Sequence, residues 1–277
     1  MNMRNCRSRL AIAGRIAGRG IRAALLGFGL YGVTCAGALL AVLATGVHLG
    51  ALAENGLLVI ANPLNFPFYM VTVLSAMYLA VIAAISISRE RERGTLEVLF
   101  YGPVDPVSLM IAKFLEPVGI YGLILAMDAV ILAGFGSATG FGFPGEAGLA
   151  MLLALAPLSC MIALGLLLSA LTARIRGSVL ALVAILFGLL IIQWGDTVVN
   201  GLENLPPALV PAKALLSLAA GLLSWVSPFA YLSRGWAAIE TADPGAALLV
   251  LAGSLAYTLI LLALAVLSLR VKGVRTR

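Results

Sequence analysis

The sequence predicts an all-α polytopic membrane protein with six transmembrane helices, and three observations predict it. The composition is too apolar for a solvated surface. Of 277 residues, 62% are hydrophobic and 11% charged, with a mean hydropathy of +1.08, whereas about a quarter of a soluble chain is charged. The apolar residues are gathered into runs of about 20, the length a helix needs to cross a bilayer. The basic residues cluster in every second interval between those runs, as positive-inside topology requires. The net charge of +6 therefore reads as a topology signal, and no nucleic-acid partner is expected.

The elements follow in order. Met1 to Arg22 carries Arg4, Arg7, Arg9, Arg15, Arg19 and Arg22 and no acid. At 100° per residue all but Arg9 fall within roughly a third of a helix circumference, which predicts an N-terminal amphipathic helix on an anionic leaflet. The apolar run from Ala23 to Val47 exceeds the ~7–15 residues of a signal-peptide core, so it is read as span one. Residues 49–66 are broken by Glu54, Asn55, Asn62, Pro63 and Asn65, and suit the outer interface. The remaining spans are expected at about 68–88, 112–135, 149–172, 178–194 and 246–269. Pro157 should kink the fourth, and the short ARIRG link, Ala173 to Gly177, makes spans four and five a tight hairpin. The run Ala214 to Leu232, interrupted by Pro228, is long enough to span. If it did, one cluster of basic residues would face the wrong side, so it is read as a re-entrant or interfacial pair of helices.

With both termini on the cytoplasmic side, every Lys and Arg except Lys213 and Arg234 lies inside. The whole chain, 1–277, is then one transmembrane domain. The three cysteines, Cys6, Cys35 and Cys160, form no CxxC pair, and His48 is the only histidine. That removes zinc spacings and most hydrolytic constellations. No GxxxxGK[ST] occurs, so no nucleotide-binding domain and no cofactor are expected in this chain.

The most informative stretch lies between spans two and three, SRERERGTLEVLFYGPVDPVSLMIAK, Ser88 to Lys113. It is expected as a water-facing loop. Thr95 to Tyr101 is a short helix-capable piece with a bulky apolar side, which Gly102 and Pro103 stop. Asp105 then caps a new helix with Pro106 in its first position. A short apolar helix in such a loop has to pack on something, which suggests a docking element.

This stretch resembles the signature of the type-2 family of ABC-transporter permeases. Glu92, Gly94, Thr95, Leu96, Glu97, Leu99, Pro103 and Lys113 fill the pattern. SPFAYLSRGW, Ser227 to Trp236, is similar to a second segment of that family. The resemblance implies a membrane subunit of an ATP-driven transporter, most often an exporter, in the inner membrane of a prokaryotic cell. It implies a second membrane subunit, the same or different, and two separate ABC-type ATPase subunits that hold the ATP and Mg. It also places a coupling helix between spans two and three, so the candidate ATPase contacts are Arg91, Arg93, Gly94, Thr95, Leu96, Glu97, Leu99, Phe100 and Pro103.

Each candidate has a plainer alternative. Arg89 to Arg93 could only mark the inner face, and Gly94 and Gly102 could be simple turn residues. Asp128 sits mid-span, where a carboxylate costs ~2.5–3.5 kcal/mol. It is the candidate for the translocation path, or else an acid bonded between helices. Two other classes remain. A stand-alone secondary transporter would need coupling acids within the spans, and only Asp128 qualifies. An intramembrane enzyme would need a catalytic pair, and neither HExxH nor paired intramembrane aspartates occur.

Overall fold

The computed structural model of the chain describes residues 3–54, 65–96, 105–139, 147–201, 210–241 and 243–272. These form α1 (Met3–Leu25), α2 (Phe28–Glu54), α3 (Asn65–Glu92), α4 (Pro106–Thr139), α5 (Ala147–Leu171), α6 (Ile175–Gly201), α7 (Val210–Leu223), α8 (Pro228–Glu240) and α9 (Pro244–Lys272). Six of them, α2 to α6 and α9, are long and apolar enough to cross a membrane. The expected all-α architecture and its six spans are therefore present.

The spans differ from their expected bounds mainly at the ends. Residues 23–25 belong to α1, because the chain turns at Leu26 and Gly27 before α2 begins. The stretch from Ser88 was expected to leave the helix there. Instead α3 runs on to Glu92, while α4 starts at Pro106 as expected and holds Lys113 within it. Charged side chains at a helix end reach partners or water through their long stems, so they do not terminate the helix. Asp105 acts as anticipated: its carboxylate accepts the Ser108 N–H at 3.2 Å and also bonds the Ser108 hydroxyl. Asp243 caps α9 in the same way, ahead of Pro244, accepting the Gly245 N–H at 2.9 Å. Asp196, past the expected end of span five at residue 194, lies within α6, which continues to Gly201. The α5 helix runs through Pro157 without ending.

The helix α5 is the centre of the bundle. Of its apolar window 89% is buried, against 22% for α6 and 28% for each of α2, α4 and α9. It packs along α3 on one side and α9 on the other. Small residues permit the approach: a Cβ on Gly165 would come within 2.5 Å of the Ala80 carbonyl oxygen of α3. In lipid such close backbone packing, rather than water exclusion, holds helices together. On the outside, Gly29 of α2 meets the Tyr78 hydroxyl where a Cβ would collide.

The amphipathic α1 lies against α4. Ala13 and Ala17 are buried while Arg15, Arg19 and Arg22 stay exposed. Gly20 touches Glu116 and Ile21 touches Gly119. The run between spans five and six is not straight. Lys213–Leu223 and Pro228–Ala238 meet at 81° across the turn at residues 224–227. The Tyr231 hydroxyl donates to the Trp225 carbonyl at 3.0 Å, and Arg234 donates to Ser224 Oγ at 2.7 Å while lying 5.0 Å over the Trp225 ring. These contacts brace the bend.

Candidate functional site

The end of α3 carries the first group of candidate residues. Gly94 has φ +68°, a left-handed conformation that glycine adopts at little cost at a helix C-terminus. Its N–H bonds the Arg91 carbonyl at 3.1 Å, and the Thr95 hydroxyl donates back to the Glu90 carbonyl at 3.1 Å. Thr95 and Leu96 are again helical. Leu96 is buried, whereas Arg93, Gly94 and Thr95 are exposed. Glu97, Leu99, Phe100 and Pro103 lie outside the described residues.

Arg91 points inward. Its guanidinium donates to the carbonyls of Ala170 at 3.2 Å and Thr172 at 2.9 Å, covering the C-terminal end of α5. Glu92 accepts the Ile175 N–H at 2.8 Å, at the start of α6. One residue pair of α3 thus satisfies backbone groups on both sides of the turn between α5 and α6, groups that a helix terminus otherwise leaves open. Alongside, Lys113 of α4 reaches Glu90 at 2.7 Å and Glu116 at 3.9 Å. The ends of α3, α4, α5 and α6 are therefore tied by charged and polar groups on one side of the bundle.

Asp128 sits in α4 with 6% of its surface exposed. Phe68, Val71, Thr72, Ser75, Tyr121 and Leu125 enclose it around a gap of about 10 Å³, room for at most one water. Three of those neighbours carry hydroxyls. A larger cavity of about 520 Å³ lies at the same level of α3 as this gap, away from the charged cluster. That cavity opens between α3, α6 and the bent pair, with Tyr69, Gln193, Asp196, Ser217, Ser224 and Phe229 among its walls. Beside it, Trp236 of α8 stacks on Phe68 at 6.1 Å and meets Tyr69 edge-on at 5.6 Å.

Residues 10–274 match the sequence profile of a family described as ABC-2 family transporter protein. The chain belongs to the ABC-2 transporter family. No curated protein matches it. As an ABC-2 permease it is an integral membrane protein and a membrane subunit for transport, consistent with a non-catalytic role, and its family implies an ABC ATPase as partner.

Some of what this ABC-2 permease brings together was not legible in its sequence. Ser169 and Ser178, either side of the α5–α6 turn, bond the backbone of α3, and inside apolar runs they look like ordinary small residues. Asp196 facing a cavity with Gln193 was missed because Gln193 sits at the very end of the expected span five and Asp196 just past it. The one available signal was the regular spacing of Gln193 and Asp196, which places them on one helix face.

Proposed function

We propose that this chain is the translocating subunit of an ABC exporter, paired with a second membrane subunit and driven by separate ATPase chains. These chains hold the ATP and Mg, and dock on the segment that starts at Thr95. The observation that carries the docking site is the bonding around the end of α3. Arg91 and Glu92 fix the last turn of that helix to the α5–α6 turn, and Gly94 then redirects the chain. A displacement applied just beyond Gly94 would be passed to three spans at once. In this reading Arg93, Thr95, Glu97, Leu99, Phe100 and Pro103 face the ATPase. Arg91, Gly94 and Leu96 set the direction of the segment. The charged cluster faces the cytoplasm, with both termini on that side of a prokaryotic inner membrane.

Asp128 belongs to the path in this reading, and a solute reaches it only when α3 and α4 part, since its gap is nearly closed. Affinity purification of the chain from its native membrane in mild detergent tests the assignment. A second protein with vanadate-sensitive ATP hydrolysis should accompany it. A chain that purifies alone and transports without ATP would contradict the proposal.

A further inference from the structure

One turn before the charged cluster, backbone groups of α3 bond side chains of other helices. In a regular helix the Ser88 N–H is given to the Ala84 carbonyl. Here both ends of that single rung have partners on other helices. The Ser88 N–H lies 2.9 Å from Ser169 Oγ of α5, and the Ile87 N–H lies 3.0 Å from the same atom. The Ala84 carbonyl accepts the Ser178 hydroxyl of α6 at 2.7 Å, and also the Ser88 hydroxyl at 3.0 Å. Ser88, Ser169 and Ser178 are all fully buried. A side chain inserted at the i→i−4 ladder is one of the few established causes of a helix bend, and a hydroxyl oxygen has the two lone pairs needed to accept both N–H groups.

Two further facts give these contacts a direction. Ser169 and Ser178 flank the α5–α6 turn, so both partners of the rung belong to one hairpin. Beyond the rung, Arg91 and Glu92 bind that same hairpin at Ala170, Thr172 and Ile175. On the other side, the Gly165 contact with Ala80 holds α5 directly against α3. The end of α3 from Ser88 to Glu92 is thus fastened to the hairpin at several points along its length.

We propose that Ser169 and Ser178 are positioning residues that loosen α3 at the Ala84–Ser88 rung and lock its last turn to the α5–α6 hairpin. The two then move as one piece about that rung. The functional half rests on the ATPase-docking reading above: motion delivered at Thr95 reaches α5 and α6 through this joint. The geometric half stands without it.

A purely structural role and a hinge role predict opposite results for Ser169→Ala combined with Ser178→Ala. Removing both hydroxyls lets Ser88 close its own rung to Ala84, so nothing buried is left unpaired. On the permease alone, hydrogen exchange at Ile87 and Ser88 should slow about fivefold, with an unchanged or higher melting temperature. Ser169→Thr combined with Ser178→Thr keeps both hydroxyls and should retain wild-type exchange. Faster exchange with a lower melting temperature, or no change at these two amides, overturns the proposal.

On the complex with its ATPase, vanadate trapping should alter exchange in residues 84–96 and 172–178 together in the wild type. In the double alanine variant it should alter only the first. Equal transmission to both segments in that variant overturns the hinge. If no ATPase binds the wild-type chain, the docking reading fails, and exchange on the permease alone still decides the joint.

Discussion

The two ends of the bundle are built differently. At the end where α3 gives way to Gly94, helices are joined by bonds that cross between them: Arg91 to α5, Glu92 to α6, Lys113 to Glu90, and two serines to the α3 backbone. At the other end, ring contacts of Trp236 with Phe68 and Tyr69 brace the helices, and a cavity of about 520 Å³ stays open. Directional bonds have defined lengths and transmit displacement. Aromatic packing tolerates sliding and leaves space. Under the proposed docking, the first end is where force enters this permease and the second is where volume can change.

The largest expected effect comes from the close approach that both ends share along α5. Gly165→Ala sets a methyl against the Ala80 carbonyl, a backbone atom with little freedom to retreat, and should cost about 1–3 kcal/mol through overpacking. Gly188→Ala, with open space around it, should be neutral or stabilising by about 0.5–1 kcal/mol. Thermal unfolding in detergent, followed by size-exclusion chromatography, measures both. Equal melting temperatures would mean that α3 and α5 are not in this contact.

Arg91→Ala comes next. It removes the guanidinium from the Thr172 carbonyl and from the Ala170 carbonyl, which keeps the Ser268 hydroxyl, and the loss should be about 1–2 kcal/mol. Arg93→Ala two residues on, where the side chain is exposed, should stay within about 0.5 kcal/mol. The outer end should respond more weakly than Arg91: Trp236→Ala removes two ring contacts and should cost about 1 kcal/mol. A larger loss at Trp236 than at Arg91 would reverse the comparison. Asp128→Asn is smallest in stability, within about 1 kcal/mol. It should still change the ATPase rate of the assembled complex if a solute or a proton reaches that gap.

How much of this was legible depended on what kind of signal each part leaves. The six spans follow from apolar runs, and the Asp105–Pro106 cap follows from local chemistry. Both required only near neighbours in sequence. The bend at residues 224–227 was foreshadowed by Pro228 and by the topology of the basic residues. Span ends were misjudged at Glu92 and Gly201; at Glu92, partners on other helices, not the sequence itself, allow a charged helix end to continue. The Ser169 and Ser178 contacts were illegible for the same reason. The spans are apolar all round, so no amphipathic stripe tells which face meets which neighbour.

The central claim is that the directional end of the bundle is where an ATPase takes hold. Co-purification of the ATPase with the wild type, with Leu99→Arg, with Phe100→Asp and with Trp236→Ala tests it most directly. Burying one apolar side chain of the docking segment is worth about 1.5–3 kcal/mol. Leu99→Arg and Phe100→Asp should therefore each lose most of the bound ATPase, while membrane insertion stays intact. Trp236→Ala, at the other end, should keep it. ATPase retained at wild-type levels by both Leu99→Arg and Phe100→Asp would contradict the account and move the docking site to the turn at residues 172–174.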